Sequence, residues 1–125
     1  MSMYLICREE AEIAVTKLKI FAQPQRLKIL NILLSGEHSV TEIAELSDIG
    51  QPALSQQLAA LRRGQMVRTR RQSKQVYYSL FDEVVEARVR GISISLFGSI
   101  EQNLAETSQS KAMNGGGSAH FVKIF

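Results

Sequence analysis

Between residues 51 and 63, glutamine, serine and arginine are spaced so that they fall on one side of a helix whose other side is leucine. Leu54, Leu58 and Leu61, at i, i+4 and i+7, mark the inward edge. The positions turned outward are Pro52, Ser55, Gln56, Ala59, Ala60 and Arg63. Such a face suits hydrogen bonding to base edges in a DNA major groove. Alanines allow close approach, glutamine pairs two-pronged with adenine, and serine either donates or accepts. Gln51, at the positive end of the helix, can reach a base or a phosphate. Gln51, Ser55, Gln56 and Gln57 are therefore the candidate base contacts, and Arg62 and Arg63 at the far end meet the duplex backbone.

Charge points the same way. The formal net charge is only +3, but residues 49–81 contain no acidic side chain and six basic ones: Arg62, Arg63, Arg68, Arg70, Arg71 and Lys74. With 15 basic and 12 acidic residues in all, the rest of the chain has 9 and 12, a balance of −3. A cationic segment on a mildly acidic body is the footprint of a polyanion-binding surface. Arg68, Arg70, Arg71, Lys74, Gln75 and Tyr77, together with Ser39 and Thr41, complete the candidate backbone contacts, which fix position and add little sequence information. Tyr78 alternates with Val76 and Leu80 and is expected in the core.

The elements that must hold these residues follow from periodicity. From Glu9 to Ala22, Ala11, Ala14, Val15, Leu18, Phe21 and Ala22 form one helical face, while Ile13 and Ile20 form a second strip. A small domain rarely buries both sides of its first helix alone, so the second strip points to a partner chain. Glu9 and Glu10 read as a helix start, where negative charge is favourable. Gln23-Pro24 closes this helix and opens a second with Leu27, Leu30 and Leu34 inward.

Ser39-Val-Thr-Glu42 is a capping box that opens a short third helix, Thr41 to about Ser47, burying Ile43, Ala44 and Leu46. Asp48-Ile-Gly50 makes a tight turn, and Gln51-Pro52 opens the fourth helix. Two short helices joined by such a turn are a helix-turn-helix. After Gly64 the period becomes two: residues 67–71 and 75–80 alternate around Gln72-Ser-Lys74, the pattern of a β-hairpin, or wing. From Asp82 to about Leu104 the helical period returns, with Val85, Val89, Ile92, Leu96, Phe97, Ile100 and Leu104 in one stripe.

A stripe of that length exceeds what so small a body covers, which predicts a homodimer joined through the two outer helices. Ile13, Ile20, Val85, Val89, Ile92, Leu96 and Ile100 are its candidate interface residues. The expected fold is mainly α with a small β-hairpin, a winged helix-turn-helix over residues 1–104. Residues 105–125, rich in Ser, Gln and Asn with Gly115-Gly-Gly117, form a flexible tail.

Composition excludes other classes. No apolar run approaches the ~20 residues of a membrane span, and the N-terminus lacks the pattern of a secretion signal, so a cytoplasmic protein is expected. The single cysteine, Cys7, cannot form an intramolecular disulfide. Catalysis is not expected. There is no Gly-rich phosphate loop and no Ser-His-Asp or Cys-His grouping, and the two histidines, His38 and His120, read as surface residues in a turn and a tail. No cofactor or metal is expected.

The runs Leu18-Lys-Ile-Phe-Ala-Gln-Pro-Gln-Arg-Leu-Lys-Ile-Leu30, Ser39-Val-Thr-Glu-Ile-Ala, Gln51-Pro-Ala-Leu-Ser-Gln-Gln-Leu-Ala-Ala-Leu-Arg-Arg63 and Val76-Tyr-Tyr-Ser-Leu80 resemble the ArsR/SmtB family of bacterial winged-helix repressors. The likeness covers about residues 10 to 104. It implies a homodimer that binds an operator and releases it when an effector arrives, with the positions of Gln51, Ser55 and Gln56 facing bases and the wing tip on the backbone. One departure is Gly64-Gln65, where relatives often carry the glycine one place later.

The resemblance does not name the effector. One type of family metal sensor places Cys-x-Cys on the third helix, but Thr41-Glu-Ile-Ala-Glu-Leu46 has no thiol. Another uses carboxylates and histidine on the last helix, where Asp82, Glu83 and Glu86 have no His after them. In the biofilm-growth-associated and sulfide-responsive subgroup a cysteine pair senses sulfur species; here Asn31 stands at the first place and the last helix has no Cys. Two functions are open at this point: a sequence-specific DNA-binding repressor acting on an inverted-repeat duplex, and a winged helix used only as a protein-interaction module.

Overall fold

The computed structural model describes residue 3 and residues 5–98. Residues 99–125, with Ile100, Leu104 and the expected tail, lie outside them. The element order is α1 (Arg8–Phe21), α2 (Pro24–Leu33), β1 (His38–Ser39), α3 (Val40–Ser47), α4 (Ala53–Arg63), β2 (Val67–Gln72), β3 (Gln75–Leu80) and α5 (Glu83–Phe97). The expected helix-turn-helix and wing are both present, and the fold is the winged helix-turn-helix that the sequence predicts.

Helix starts follow the local chemistry. In α1 the N-cap is Cys7: its N–H donates to Glu10 Oε2 at 2.8 Å, while its Sγ accepts from the Glu10 N–H at 3.5 Å. In α2 Gln23 Oε1 accepts from the Arg26 N–H at 2.9 Å, with Pro24 in the first turn. In α3 the expected capping box forms, Ser39 Oγ accepting from the Glu42 N–H at 3.2 Å and Glu42 Oε1 from the Ser39 N–H at 2.9 Å.

The chain divides into two compact units, residues 1–86 and 87–125. In the first, Phe21, Ile29, Leu30, Leu33, Ile43, Ile49, Leu54, Leu58, Leu61, Met66, Val67, Leu80 and Val85 are buried. In the second, the described residues continue α5 to Phe97. Gly98, at φ 85°, follows the last helical residue, and its N–H donates to Ile94 O at 2.9 Å; the expected continuation to Leu104 lies outside the described residues. No described helix is long and apolar enough to cross a membrane.

Five expectations are corrected. The sheet has three strands in the order β1-β3-β2, all antiparallel, because His38 and Ser39 pair with Tyr78 and Tyr77. His38 is accordingly a strand residue with a largely buried side chain, not a surface residue in a turn. In α2 the deepest residues are Ile29, Leu30 and Leu33, one position off the expected ridge at Leu34, because Leu34 caps the helix. In α3, Leu46 is 55% exposed, and Ser47 is buried in its place, with Ser47 Oγ accepting from the Ile49 N–H to tighten the turn toward α4. Finally, Val15 and Leu18 of α1, expected inward, are 48% and 55% exposed.

The exit from α4 determines how the wing departs. Gln65 takes φ 56°, its N–H donates to Arg62 O at 3.1 Å, and the Met66 N–H donates to Leu61 O at 2.9 Å. This is a Schellman closure with Gln65 at the left-handed position and buried Met66 as its hydrophobic contact. Glycine favours that position, so the shifted glycine of Gly64-Gln65 has a structural meaning: it stands one residue before the place where its freedom is needed.

Candidate nucleic-acid interface

Helix α4 presents the expected outer face. Leu54, Leu58 and Leu61 are buried, while Gln51, Pro52, Ser55, Gln56 and Arg63 are exposed and Ala59 and Ala60 half-buried. No side chain of Pro52 caps the helix; Gln51 does that work instead. Its Oε1 accepts from the Ser55 N–H at 3.1 Å and the Ser55 hydroxyl at 2.7 Å. Gln51 is thereby oriented with its amide NH₂ outward as a donor, and Ser55 Oγ keeps lone pairs to accept with. Gln56 makes no side-chain hydrogen bond among the described residues and stands free to pair with a base.

Gln57 is placed elsewhere. Its Oε1 accepts from Arg26 Nη1 and its Nε2 donates to Gln25 Oε1, both at 3.3 Å. One residue along a helix is a turn of about 100°, which carries Gln57 from the outer face to α2. Arg26 also donates through Nε to Ile20 O at 2.9 Å and through Nη2 to Lys19 O at 3.3 Å. It thus satisfies carbonyls at the end of α1 while tying α1 and α4 to α2. This role is invisible in the periodicity, although Arg26 sits within the Pro-x-Arg-Leu run.

Of the other proposed backbone residues, Ser39 is buried with its hydroxyl engaged in the α3 cap, and Thr41 is exposed. Arg62, Arg63, Arg68, Arg71, Lys74 and Gln75 are exposed. Arg68 donates to Ser79 Oγ at 3.4 Å, and none of Arg62, Arg63, Arg71 or Lys74 has an ion-pair partner among the described residues. Lys74 lies at the two-residue tip of the hairpin, where Ser73 takes φ 56° between paired Gln72 and Gln75.

Arg70 differs. Its Nη2 donates to Glu37 Oε1 at 2.6 Å and its Nε to Glu37 Oε2 at 3.1 Å, and its guanidinium lies 4.7 Å from the centre of the Tyr77 ring. The Arg70 hydrogen bond holds the Glu37 carboxyl below its ordinary pKa, and Glu37 in turn raises that of Arg70. One of the six cations is therefore compensated by a carboxylate from outside the basic segment, and Tyr77, half-buried beneath it, is less open to a phosphate than its sequence position implied.

Tyr78 also departs from expectation. It is half-buried and lines an open cleft of about 500 Å³ with Val40, Ser55, Leu58, Ala59, Arg62 and Arg63. Two guanidinium groups and two hydroxyls surround an apolar floor in this cleft, and no carboxylate lines it. Such a set accommodates a sugar against carbon and a phosphate against cation.

Of the expected dimer residues, Ile13 is 56% and Leu96 47% exposed, Ile20 and Ile92 are half-buried, and Val85 and Val89 are buried. Among the described residues no group of three or more His, Cys, Asp or Glu is placed to hold a metal ion.

An outward polar helix on a helix-turn-helix, with a basic hairpin beside it, defines a winged helix-turn-helix protein of the nucleic-acid-binding class. Comparison with known proteins places it more closely. Residues 23–69 match the family model described as bacterial regulatory protein, arsR family. A biofilm growth-associated repressor of Agrobacterium fabrum is 40% identical over 97 residues, 78% of this chain and 81% of that one. The transcriptional activator HlyU of Vibrio cholerae is 43% identical over 76 residues, 61% of this chain and 70% of its own. A solved HlyU structure superposes with a TM-score of 0.64 at 38% identity, covering 70% of this chain and 95% of the other. The homodimeric winged helix-turn-helix DNA-binding domain Mb0332 of Mycobacterium bovis gives a TM-score of 0.61 at 27% identity, covering 74% and 89%. The chain belongs to the arsR family of bacterial regulatory proteins.

Proposed function

We propose that the chain is a DNA-binding transcriptional repressor that acts as a homodimer on an inverted-repeat operator, each protomer laying α4 in a major groove. The observation that carries this is the outer face of α4, where Gln51 and Ser55 are locked together by two hydrogen bonds and Gln56 is left unengaged. Pre-orienting two groups and leaving a third free is what base readout requires. The cleft beside α4 receives the sugar-phosphate backbone, with Arg62, Arg63 and the Tyr78 hydroxyl around one phosphate, and Arg68, Arg71 and Lys74 follow the strand along the wing.

Dimerisation uses apolar side chains that each unit leaves exposed, Ile13, Val15 and Leu18 of α1 in the first and Leu96 of α5 in the second, whereas Val85 and Val89 are buried. Related proteins named as repressors and one named as a homodimer support this reading. Release from the operator by an effector belongs to the same proposal.

The test is fluorescence anisotropy with a duplex selected from a random pool, measured across salt. With five free cations per protomer, the slope of log K against log salt has a ceiling of about −9 for a dimer, at roughly −0.9 per phosphate. A steep slope with preference over a scrambled duplex supports the reading. A flat slope, or equal binding of every duplex, returns the chain to the protein-interaction module.

A further inference from the structure

Resting on that reading, we propose that Glu37 and Arg70 form a clasp that fixes the wing against the helix-turn-helix, so that Arg70 promotes DNA binding as a positioning residue and not as a phosphate contact. Glu37 lies immediately before β1, the strand that leads through Ser39 into α3. Arg70 lies on β2, at the opposite edge of the three-stranded sheet. Between them runs β3, whose Tyr77 is paired with both Ser39 and Arg70. The ion pair therefore spans the full width of the sheet, over the ring of Tyr77.

Three features make this a clasp. The pair is two-pronged, through Nε and Nη2, which fixes direction as well as distance. The third nitrogen, Nη1, donates to Gln72 Oε1, and one flat face rests on Tyr77. Three of the five guanidinium N–H donors are thus engaged within the protein, and the Nε–Nη2 edge that could grip a phosphate two-pronged is closed by Glu37. The wing also needs a tie of this kind. Its backbone joins β1 through only two residue pairs, His38 with Tyr78 and Ser39 with Tyr77. The strand runs two residues beyond Arg70 to Gln72, roughly 7 Å, and the turn residues Ser73 and Lys74 extend past that point. A small change of angle at Arg70 becomes a large displacement of the tip.

The experiment uses the full-length protein and a duplex recovered by selection from a random pool, with anisotropy measured from low to high salt. If wild type does not prefer that duplex, the proposed function fails, separately from the clasp. If it does, Glu37→Gln and Arg70→Gln are each expected to weaken binding about three- to tenfold. The double variant is expected to be no weaker than either single one, and the exchanged pair, Glu37→Arg with Arg70→Glu, is expected to recover most of the loss. The salt slope stays unchanged in Arg70→Gln. The clasp is overturned if Glu37→Gln leaves affinity the same or raises it, which is what releasing a competitor of phosphate would do. It is also overturned if Arg70→Gln flattens the slope by about 0.9 per protomer, the mark of a lost phosphate contact. Both side chains are partly exposed, at 49% for Arg70 and 36% for Glu37, and a solvent-facing ion pair adds little stability, so the melting temperature is expected to stay close to wild type in every variant.

Discussion

Exchanging the glycine at the end of α4 for its neighbour, Gly64→Ala with Gln65→Gly, is expected to stabilise the protein. Gln65 occupies the left-handed region at φ 56°, a conformation that costs a residue with a Cβ about 1–2 kcal/mol. Glycine removes that cost but gives back about 0.4–1 kcal/mol through the greater freedom of its unfolded chain. The net gain at residue 65 is therefore about 0.5–1 kcal/mol. Gly64, at φ −81° and ψ 3°, needs no such freedom. A Cβ there would meet Ala60 O at 3.5 Å and the Cδ1 of Ile20 at 3.6 Å, both ordinary contacts, so alanine adds about 0.4–1 kcal/mol. Together the two changes give about 1–2 kcal/mol, which for a domain of this size raises the melting temperature by roughly 4–12 °C. Circular dichroism melts at one fixed protein concentration measure it, because association also shifts the midpoint. The salt slope for DNA should not change, since neither residue is proposed to touch it. A lower midpoint for Gln65→Gly alone would refute the reasoning, for it would mean that the glutamine contributes more to the Schellman turn than the left-handed backbone costs.

Three further outcomes are expected. Gln56→Ala should lose about 1–3 kcal/mol of preference for the selected duplex per half-site, whereas Gln57→Ala, which removes contacts to Gln25 and Arg26, should lower the melting temperature and leave the preferred sequence unaltered; competition binding and repeated selection distinguish the two. Leu18→Glu, placed on the exposed face of α1, should weaken the dimer at least about 30-fold by sedimentation, and an unchanged dimer would remove α1 from the interface. The Glu42 carboxyl lies below its ordinary value of 4.5, chiefly through its hydrogen bond from the Ser39 N–H, so its contribution to stability is complete above about 4.5 and is lost as pH falls through the lower folded value. Urea midpoints from pH 7 to pH 3 should therefore fall less in Glu42→Gln than in wild type, and an equal fall in both would refute the assignment.

How much of this was legible in the sequence depends on the range of the interaction. The helices and the wing follow from periods of 3.6 and 2 and from caps within four residues, so Ser39 with Glu42 and Leu54 with Leu58 and Leu61 were found where expected. Strand β1 was not, because two residues carry no period. The outer face of α4 was legible as a face, but Gln57 was grouped with Gln56 by type when a rotation of one residue separates them. The Glu37–Arg70 pair joins residues 33 apart, and no local pattern selects that carboxylate over others. Tyr78 alternates with core residues as the sequence indicates, yet the sheet's inner face opens there onto the cleft beside α4. In α1 the two apolar strips were visible, but which of their members are covered was not: Phe21 is buried, whereas Ile13, Val15 and Leu18 are exposed.

The most direct measurement is selection of preferred sites from a pool of random duplexes by the purified full-length protein. Two inverted half-sites should emerge, their centres about 10 base pairs or roughly 34 Å apart, and Gln56→Ala should degrade the motif in both halves alike. Recovery of no motif, or of a single half-site without its inverted copy, would contradict the account.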